Sequence, residues 1–461
     1  MSSSKTFRIE SDTLGEVRIP SDAYYGAQTQ RAVENYQISG RSLPRSFIRA
    51  QGIIKASAAK ANMENGFLQP SYAKAIIKAA EEVLDGTLDD HFVVDVYQAG
   101  AGTSQNMNAN EVIANRATEI LGETLEGNRI HPNDHVNMSQ STNDTFHAAI
   151  HIAGAENIVH RLLPAVQQLH NELKRKSIEL MPVMKSGRTH LHDALPIRLG
   201  QEFSGYAETV HEIYHQLEKA TDYLYEIGIG GTAIGTRNNI HPQYSEKVIK
   251  EVSRFTNLPF REPVDMFSFM QNTNAPIRVM LVLKEFAMHL IKITSDLRLL
   301  SSGPRTGFAE ITLPSVQPGS TIMPGKVNPA VLEMVHMVCC QVVGGEASVT
   351  TAGMAGQLEI NVMMPLIAHT FLDAIELLSN ALPTLVTKCI SGIKAEEENC
   401  KQWMNASLGL VTGISTIVGY DRASKIGMEA DERKISIQQV LEEQGLLTPE
   451  IEKALDPKGM V

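Results

Sequence analysis

A serine, a lysine and an asparagine occur together in Pro318-Gly319-Ser320-Thr321-Ile322-Met323-Pro324-Gly325-Lys326-Val327-Asn328-Pro329. Ser320 sits on a small Gly-Ser segment whose backbone can move. Pro324-Gly325 turns the chain, and Lys326 brings a full positive charge. Asparagine at an N-cap followed by proline at the first helical position marks a helix start. That helix is expected to run on through Val331, Val335 and Val338. Its unpaired N–H groups and the positive end of its dipole, beside Lys326, make an anion clamp, with a mobile hydroxyl carried just upstream.

Three further stretches hold polar groups at helix starts. Ser139-Gln140-Ser141-Thr142-Asn143-Asp144 clusters hydroxyl and amide donors. Gly187-Arg188-Thr189-His190-Leu191-His192-Asp193 places Thr189-His190 in a polar turn before a long helix. Gln98 to Asn108 combines small residues with the Thr103 hydroxyl, ahead of a helix expected from Asn110. Ends of bundle helices from different subunits could bring these segments into one pocket. Gly228-Ile229-Gly230-Gly231-Thr232-Ala233 matches a dinucleotide fingerprint, but that fingerprint works only between a strand and a helix. A long helix precedes it here, so nucleotide binding is rejected.

The 461 residues allow a large core and more than one domain. The net charge of −11, with no basic run, argues against nucleic acid. An acidic chain that binds an anion must build a locally positive pocket, which Lys326 supplies. The four cysteines include adjacent Cys339-Cys340 and no C-x-x-C. They read as buried small hydrophobes rather than a metal or disulfide framework. Met1-Ser2-Ser3-Ser4-Lys5 has no apolar signal core, and no apolar run of about 18 residues is read as a membrane span. The cytoplasm is the expected compartment, with no membrane partner.

Between Gln201 and Ile227, apolar residues at Phe203, Tyr206, Val210, Ile213, Leu217, Ala220, Leu224 and Ile227 step alternately by three and four. That is a helix-packing seam about 40 Å long. Val279, Leu283, Phe286, Leu290, Ile293 and Leu297 repeat it. Long helices are also expected over 148–180, kinked at Pro164, over 329–349 and over 362–387. The chain is therefore expected to be mainly α, in three domains. Residues 1–139 form a mixed N-terminal domain that opens on a hairpin from Arg8 to Pro20 and includes a helix capped by Ser71 and ended by Gly86. Residues 140–394 form a central long-helix bundle, and 395–461 a small helical domain. Leu281, Val282, Met288 and Ile291 make other helix faces apolar as well, so bundles are expected to pack across subunits.

The Ser320 stretch resembles the signature of the fumarase/aspartase superfamily, G-S-S-x-M-P-x-K-x-N, and the resemblance runs from about Phe7 to Val461. It implies a homotetramer with a shared helical core, a site shared by three subunits, a small dicarboxylate substrate, and neither metal nor other cofactor. It implies Ser320 as the general base that removes a Cβ proton. Lys326 and Asn328 would clamp a carboxylate, and Thr189 and His190 would bind substrate from the other side. Glu333 would pair with His190. Thr103, Ser141, Thr142 and Asn143 match residues that hold the second carboxylate and the leaving group. His131-Pro132-Asn133-Asp134 matches a peripheral anion site.

Removing a proton next to a carboxylate makes an aci-carboxylate, with one more negative charge, so catalysis needs donors aimed at that charge. Gly100-Ala101-Gly102-Thr103-Ser104, Gln140 to Asp144, Ala355-Gly356-Gln357-Leu358-Glu359 and Asp296 to Arg305 look like aspartases. Asp456 to Val461 looks like a fumarase C-terminus. On balance the resemblance implies an ammonia-lyase giving fumarate from L-aspartate, with a fumarate hydratase as the alternative. Arg237 stands in Thr236-Arg237-Asn238-Asn239 where T-G-L-N is usual. His147-Ala148 replace Pro-Thr, His192 a glutamine, Thr321 a serine, and Gly413 to Thr416 an Ala-Leu-Asn-Pro run. Three of these add actual or potential cations, which leaves open an N-substituted or more carboxylated aspartate.

Overall fold

The computed structural model describes residues 6–123 and 129–461. Among them the chain forms three two-stranded sheets and seventeen α-helices. In order these are β1 (Phe7–Asp12), β2 (Gly15–Pro20), α1 (Ala27–Asn35), α2 (Arg45–Glu64), α3 (Pro70–Asp85), α4 (Thr103–Ile120), α5 (Thr142–Asn157), α6 (Leu163–Leu180), β3 (Met184–Thr189), β4 (His192–Arg198) and α7 (Leu199–Thr221). Then come α8 (Tyr244–Thr256), α9 (Met266–Gln271), α10 (Asn274–Leu300), β5 (Ile311–Thr312), α11 (Ala330–Gly353), α12 (Met364–Lys388), β6 (Lys394–Ala395), α13 (Glu397–Ala406), α14 (Val411–Val418), α15 (Tyr420–Arg433), α16 (Ile437–Glu443) and α17 (Pro449–Leu455).

These divide into two compact units. The first comprises Met1–Pro164, His215–Ala287 and Cys340–Ser379, and the second Ala165–Tyr214, Met288–Cys339 and Asn380–Val461. In the first, α2, α3 and α4 pack through Ile48, Ile76, Val83, Val112 and Ile113. In the second, α14 to α17 close around Ile414, Ile426, Val440 and Ile451.

The mainly helical expectation holds, as do the long helices, except that the one expected over 201–227 ends as α7 at Thr221 and passes into a 3₁₀ turn over Asp222–Tyr225. Every seam residue from Phe203 to Ile227 is buried, and so is every one from Val279 to Leu297. β1 and β2 form the expected hairpin. Other boundaries differ for physical reasons. Pro70, preset for a first turn, starts α3, so Gln69 rather than Ser71 is its N-cap; Gly86 ends it at φ 92°. α4 begins at Thr103, not Asn110, because Ala101 and Gly102 (φ 59° and 88°) turn the chain immediately before it. α5 begins at Thr142, not Ala148, and a π turn over Ile158–Leu162 leads into Pro164, which cannot donate to the preceding turn.

Thr189-His190 does not lie in a turn leading into a helix. β3 and β4 pair antiparallel, and His190-Leu191 is the two-residue tip between Thr189 and His192. α11 is long and apolar enough to cross a membrane by length and composition alone, but Glu333 and Glu346 interrupt it, so it holds no continuous apolar run of about 18 residues.

Candidate active site

The Ser320 loop lies in the second unit and is held by Gly319. The Gly319 N–H donates to the Lys326 carbonyl at 2.8 Å, and Asn328 Nδ2 donates to the Gly319 carbonyl at 2.7 Å. A Cβ on Gly319 would meet the Asn328 nitrogen at 2.6 Å, so this close approach requires glycine. Ser320 Oγ accepts the N–H of Ile322 at 3.2 Å and of Met323 at 2.9 Å. Two donors on one hydroxyl oxygen favour its anionic form. Lys326 Nζ donates to Asn328 Oδ1 at 2.7 Å, which among the described residues leaves two of its three N–H groups for an anion.

The expected cap is not formed. The Glu333 N–H donates to the Pro329 carbonyl, so Asn328 lies outside the first turn of α11, its side chain engaged by Lys326 and Gly319. Thr321 is exposed. Glu333, in the first turn of α11, lies 3.9 Å from Arg298 Nη2.

His190 and Leu191 both have left-handed φ, 55° and 60°, as a two-residue type I′ turn demands. Neither is glycine, so the tip is held against a conformational preference. Among the described residues His190 makes no hydrogen bond, and no hydrogen bond or ion pair joins it to Glu333. Sequence reasoning missed what grips this hairpin: the fully buried Glu310 carboxylate, bound by Arg188 and Lys185. A cleft of about 640 Å³ lies against that cluster, lined by Lys185, Arg188, Glu202, Tyr206, Asp296 and Phe308; Ser320 and Lys326 do not line it.

The first unit holds the remaining candidates. Thr103 is exposed at the start of α4. A Cβ on the preceding Gly102 would meet the Phe146 ring at 2.1 Å. At the start of α5, Ser141 Oγ accepts the Asn143 N–H at 3.3 Å, and Asp144 Oδ1 accepts the Ser141 N–H at 2.9 Å, a capping box. The Thr142 hydroxyl accepts from Asn106 Nδ2 at 3.0 Å, and Asn143 Nδ2 donates to the Ala233 carbonyl at 2.8 Å.

The buried Asp144 also accepts the N–H groups of Gly230 and Thr232, both at 3.0 Å. The amides of the apparent dinucleotide motif therefore hold a protein carboxylate, in agreement with its rejection. Burial pushes Asp144 up to about 6, against those three amides. Burial also pushes Lys55 down to about 7. Lys55 Nζ donates to Asn106 Oδ1 at 2.9 Å, Asn137 Oδ1 at 3.0 Å and Gln140 Oε1 at 2.9 Å. Neither residue was given a role from sequence. The available signal was a lysine among apolar neighbours, Ile53-Ile54-Lys55-Ala56, inside a helix.

Of the unusual residues, His147 is buried, stacked on Phe269, with neither ring nitrogen hydrogen-bonded among the described residues. Burial holds it neutral by pushing its pKa far down. His192 opens β4, exposed. His131 folds back on its own turn, its Nδ1 accepting the Asp134 N–H at 3.1 Å.

Arg237, at φ 57°, pairs with Glu262 at 2.5 Å, both well exposed. A further substrate carboxylate would have to displace Glu262, at little cost for an exposed pair. Arg237→Gly is expected to keep stability within about 1 kcal/mol, since relief of the left-handed φ offsets added chain entropy. If Arg237 binds an extra carboxylate, activity on an extended substrate such as iminodisuccinate falls about tenfold to hundredfold more than on aspartate. Equal losses on both would remove Arg237 as a specificity residue.

Hydroxyl- and amide-bearing segments open α4 and α5, the Ser320–Lys326 loop precedes α11, and sequence comparison places the chain among lyases. A family model described as "Lyase" matches residues 15–344, and one described as "Fumarase C C-terminus" matches 410–461. The chain belongs to the fumarase/aspartase family. It is 44% identical over 455 residues to a protein named fumarate hydratase class II 2 from Bradyrhizobium diazoefficiens, covering 98% of this chain and 96% of that one. It is also 44% identical over 456 residues to an aspartate ammonia-lyase from a Bacillus species, covering 98% and 97%. A crystal structure of class II fumarase from Schistosoma mansoni superposes with a TM-score of 0.95 at 34% identity, covering 99% of both chains.

Proposed function

We propose that the protein eliminates ammonia from L-aspartate to give fumarate, reversibly and with anti geometry. The observation that carries the elimination is Ser320 Oγ accepting two backbone N–H groups on the loop that carries Lys326. Ser320, as its alkoxide, takes the Cβ proton. The electron pair moves into the adjacent carboxylate, giving an aci-carboxylate whose extra charge Lys326 and the remaining Asn328 N–H meet. The pair then returns, the Cα–N bond breaks, and the substrate ammonium group leaves as neutral ammonia. Each such donor is worth roughly 3–4 kcal/mol in the transition state. Thr189 and His190 hold the substrate from one side, with Glu333 as partner to His190. Thr103, Ser141, Thr142 and Asn143 hold the second carboxylate and the leaving group. No step requires a metal.

The ammonia-lyase reading rests on the aspartase-like stretches at 100–104, 140–144, 296–305 and 355–359. A second reading, hydration of fumarate to malate by the same residues, is favoured by the match to a fumarase C-terminus and by relatives named fumarate hydratase. Incubation with L-aspartate, L-malate and iminodisuccinate separately, followed by ultraviolet absorbance of fumarate, separates them. Aspartate is expected to give fumarate fastest. Turnover of malate alone establishes the hydratase instead, and fumarate from none of the three overturns both readings.

The reading includes a cytoplasmic homotetramer with sites shared between subunits. Its support is apolar surface left open in one chain: Leu281 is 49% exposed, Met288 57% and Met337 70%. Refolding inactive Ser320→Ala and His190→Asn subunits together is then expected to restore part of the activity. An active species that sediments as a monomer would exclude this arrangement.

A further inference from the structure

We propose that Glu310 is a positioning residue that sets the Thr189-His190 hairpin through Arg188. The inference rests on the proposed role of that hairpin in binding substrate.

In a regular strand, residues three apart point to opposite faces. Lys185 and Arg188 are three apart on β3, yet both reach the same carboxylate. Arg188 Nη1 lies 2.9 Å from Glu310 Oε1 and 3.1 Å from Oε2, and Lys185 Nζ lies 3.2 Å from Oε2. The register of β3 on β4 shifts between Ser186 and Arg188. This bulge turns Arg188 to the face of Lys185. Gly187 sits in it, where a Cβ would meet the Leu195 carbonyl oxygen at 2.7 Å. Glu310 is 0% exposed, so its charge depends on these two cations. Lys185 is shared with Glu202 at 2.7 Å, and Arg188 stacks over the Phe308 ring at 4.1 Å.

The backbone that carries this carboxylate is itself anchored. α13 donates Trp403 Nε1–H to the Phe308 carbonyl, Asn399 Nδ2 to Ala309 and Cys400 Sγ to Glu310, at 2.8, 2.8 and 3.4 Å. The Ala309 and Glu310 N–H groups donate to Ser302 and Leu300, both at 2.9 Å. A fixed carboxylate therefore grips the residue immediately before Thr189, next to a hairpin tip whose two residues both hold left-handed φ without glycine. A strained tip persists only where its surroundings determine it. On this account Glu310 touches no substrate, and its removal lets the tip relax.

The test is steady-state kinetics of Glu310→Asp, Arg188→Lys and the double variant, with His190→Asn in parallel, on the substrate wild type turns over. Circular dichroism and the emission of Trp403, the only tryptophan, report folding and the packing of residues 308–310. Glu310→Asp is expected to keep both signals while KM rises at least about threefold and kcat/KM falls about a hundredfold. The double variant is expected to be no worse than its weaker parent, because both residues act through one contact. A merely structural role would remove active molecules, lowering kcat and leaving KM unchanged, and that result overturns the proposal. Wild-type kinetics in Glu310→Asp, or losses that multiply in the double variant, also overturn it. If Glu310→Asp loses its fold, Arg188→Lys decides: wild-type KM there overturns the proposal, and a raised KM supports it. A fully active His190→Asn overturns the site reading and the proposal with it. An inactive His190→Asn beside a normal Glu310→Asp overturns the positioning role alone.

Discussion

Ser320→Ala is expected to lower kcat by about 10²–10⁴-fold, the range for loss of a general base, with secondary structure and sedimentation unchanged. A hydroxyl is a poor base in water. Here its oxygen receives the Ile322 and Met323 N–H groups, and Lys326 lies on the same loop, so its alkoxide is favoured by donors that need no rearrangement. The substitution is also a clean one. The loop is held independently by the Gly319 N–H on Lys326 and by Asn328 Nδ2 on the Gly319 carbonyl, neither of which involves Ser320. Single-turnover measurement of fumarate formation checks it. A variant within about threefold of wild type would show that another group takes the proton.

Lys55→Met is expected to destabilise the protein by about 3–5 kcal/mol at neutral pH, the range for breaking a buried charged cluster by removing one partner. Lys55 is 1% exposed and donates to three side-chain amides. Methionine fills similar volume but leaves those oxygens without their donor and Asp144 without its nearby cation. The loss extends to the site, because Asn106 bridges Lys55 to the Thr142 hydroxyl.

The pH dependence has a definite sign. The native chain releases the Lys55 proton at about 7, whereas the unfolded chain keeps it to the ordinary lysine value of 10.5. Between these the unfolded state binds more protons, so wild-type stability rises with pH. The variant lacks this increment, and the gap between them widens from pH 7 to 9. Asp144 acts in a separate window. Its folded pKa is raised from 3.8 to about 6, so its contribution is present below the lower value and is lost as pH rises through the upper one. Urea unfolding at fixed protein concentration measures both effects. A loss under about 1 kcal/mol, or a gap constant over pH 7 to 9, would exclude Lys55 as the organiser of this cluster.

The sequence alone determined the helical architecture, because long helices write their packing into period. Phe203 to Ile227 and Val279 to Leu297 step by three and four, and all are buried. Hairpin β1–β2 was legible for a similar reason, being a local element with a turn at its centre. The segments bearing Ser320, Thr189-His190 and Ser141 to Asn143 were legible from their residue types, and family membership from their pattern. Strands β3 and β4 were not. Their buried positions include Lys185 and Ser186, polar residues satisfied by Glu202, Glu310 and Ser407 from distant parts of the chain, so no alternation shows. Only tertiary structure decided that Asn328 braces Gly319 and Lys326 instead of capping α11, and that Asp144 occupies the amides of an apparent nucleotide loop. It alone also brought Lys55 to its three amides and Glu310 to Arg188. In each case a polar group has left water, and the partner that compensates it lies too far along the chain, or in too irregular a turn, for spacing to reveal.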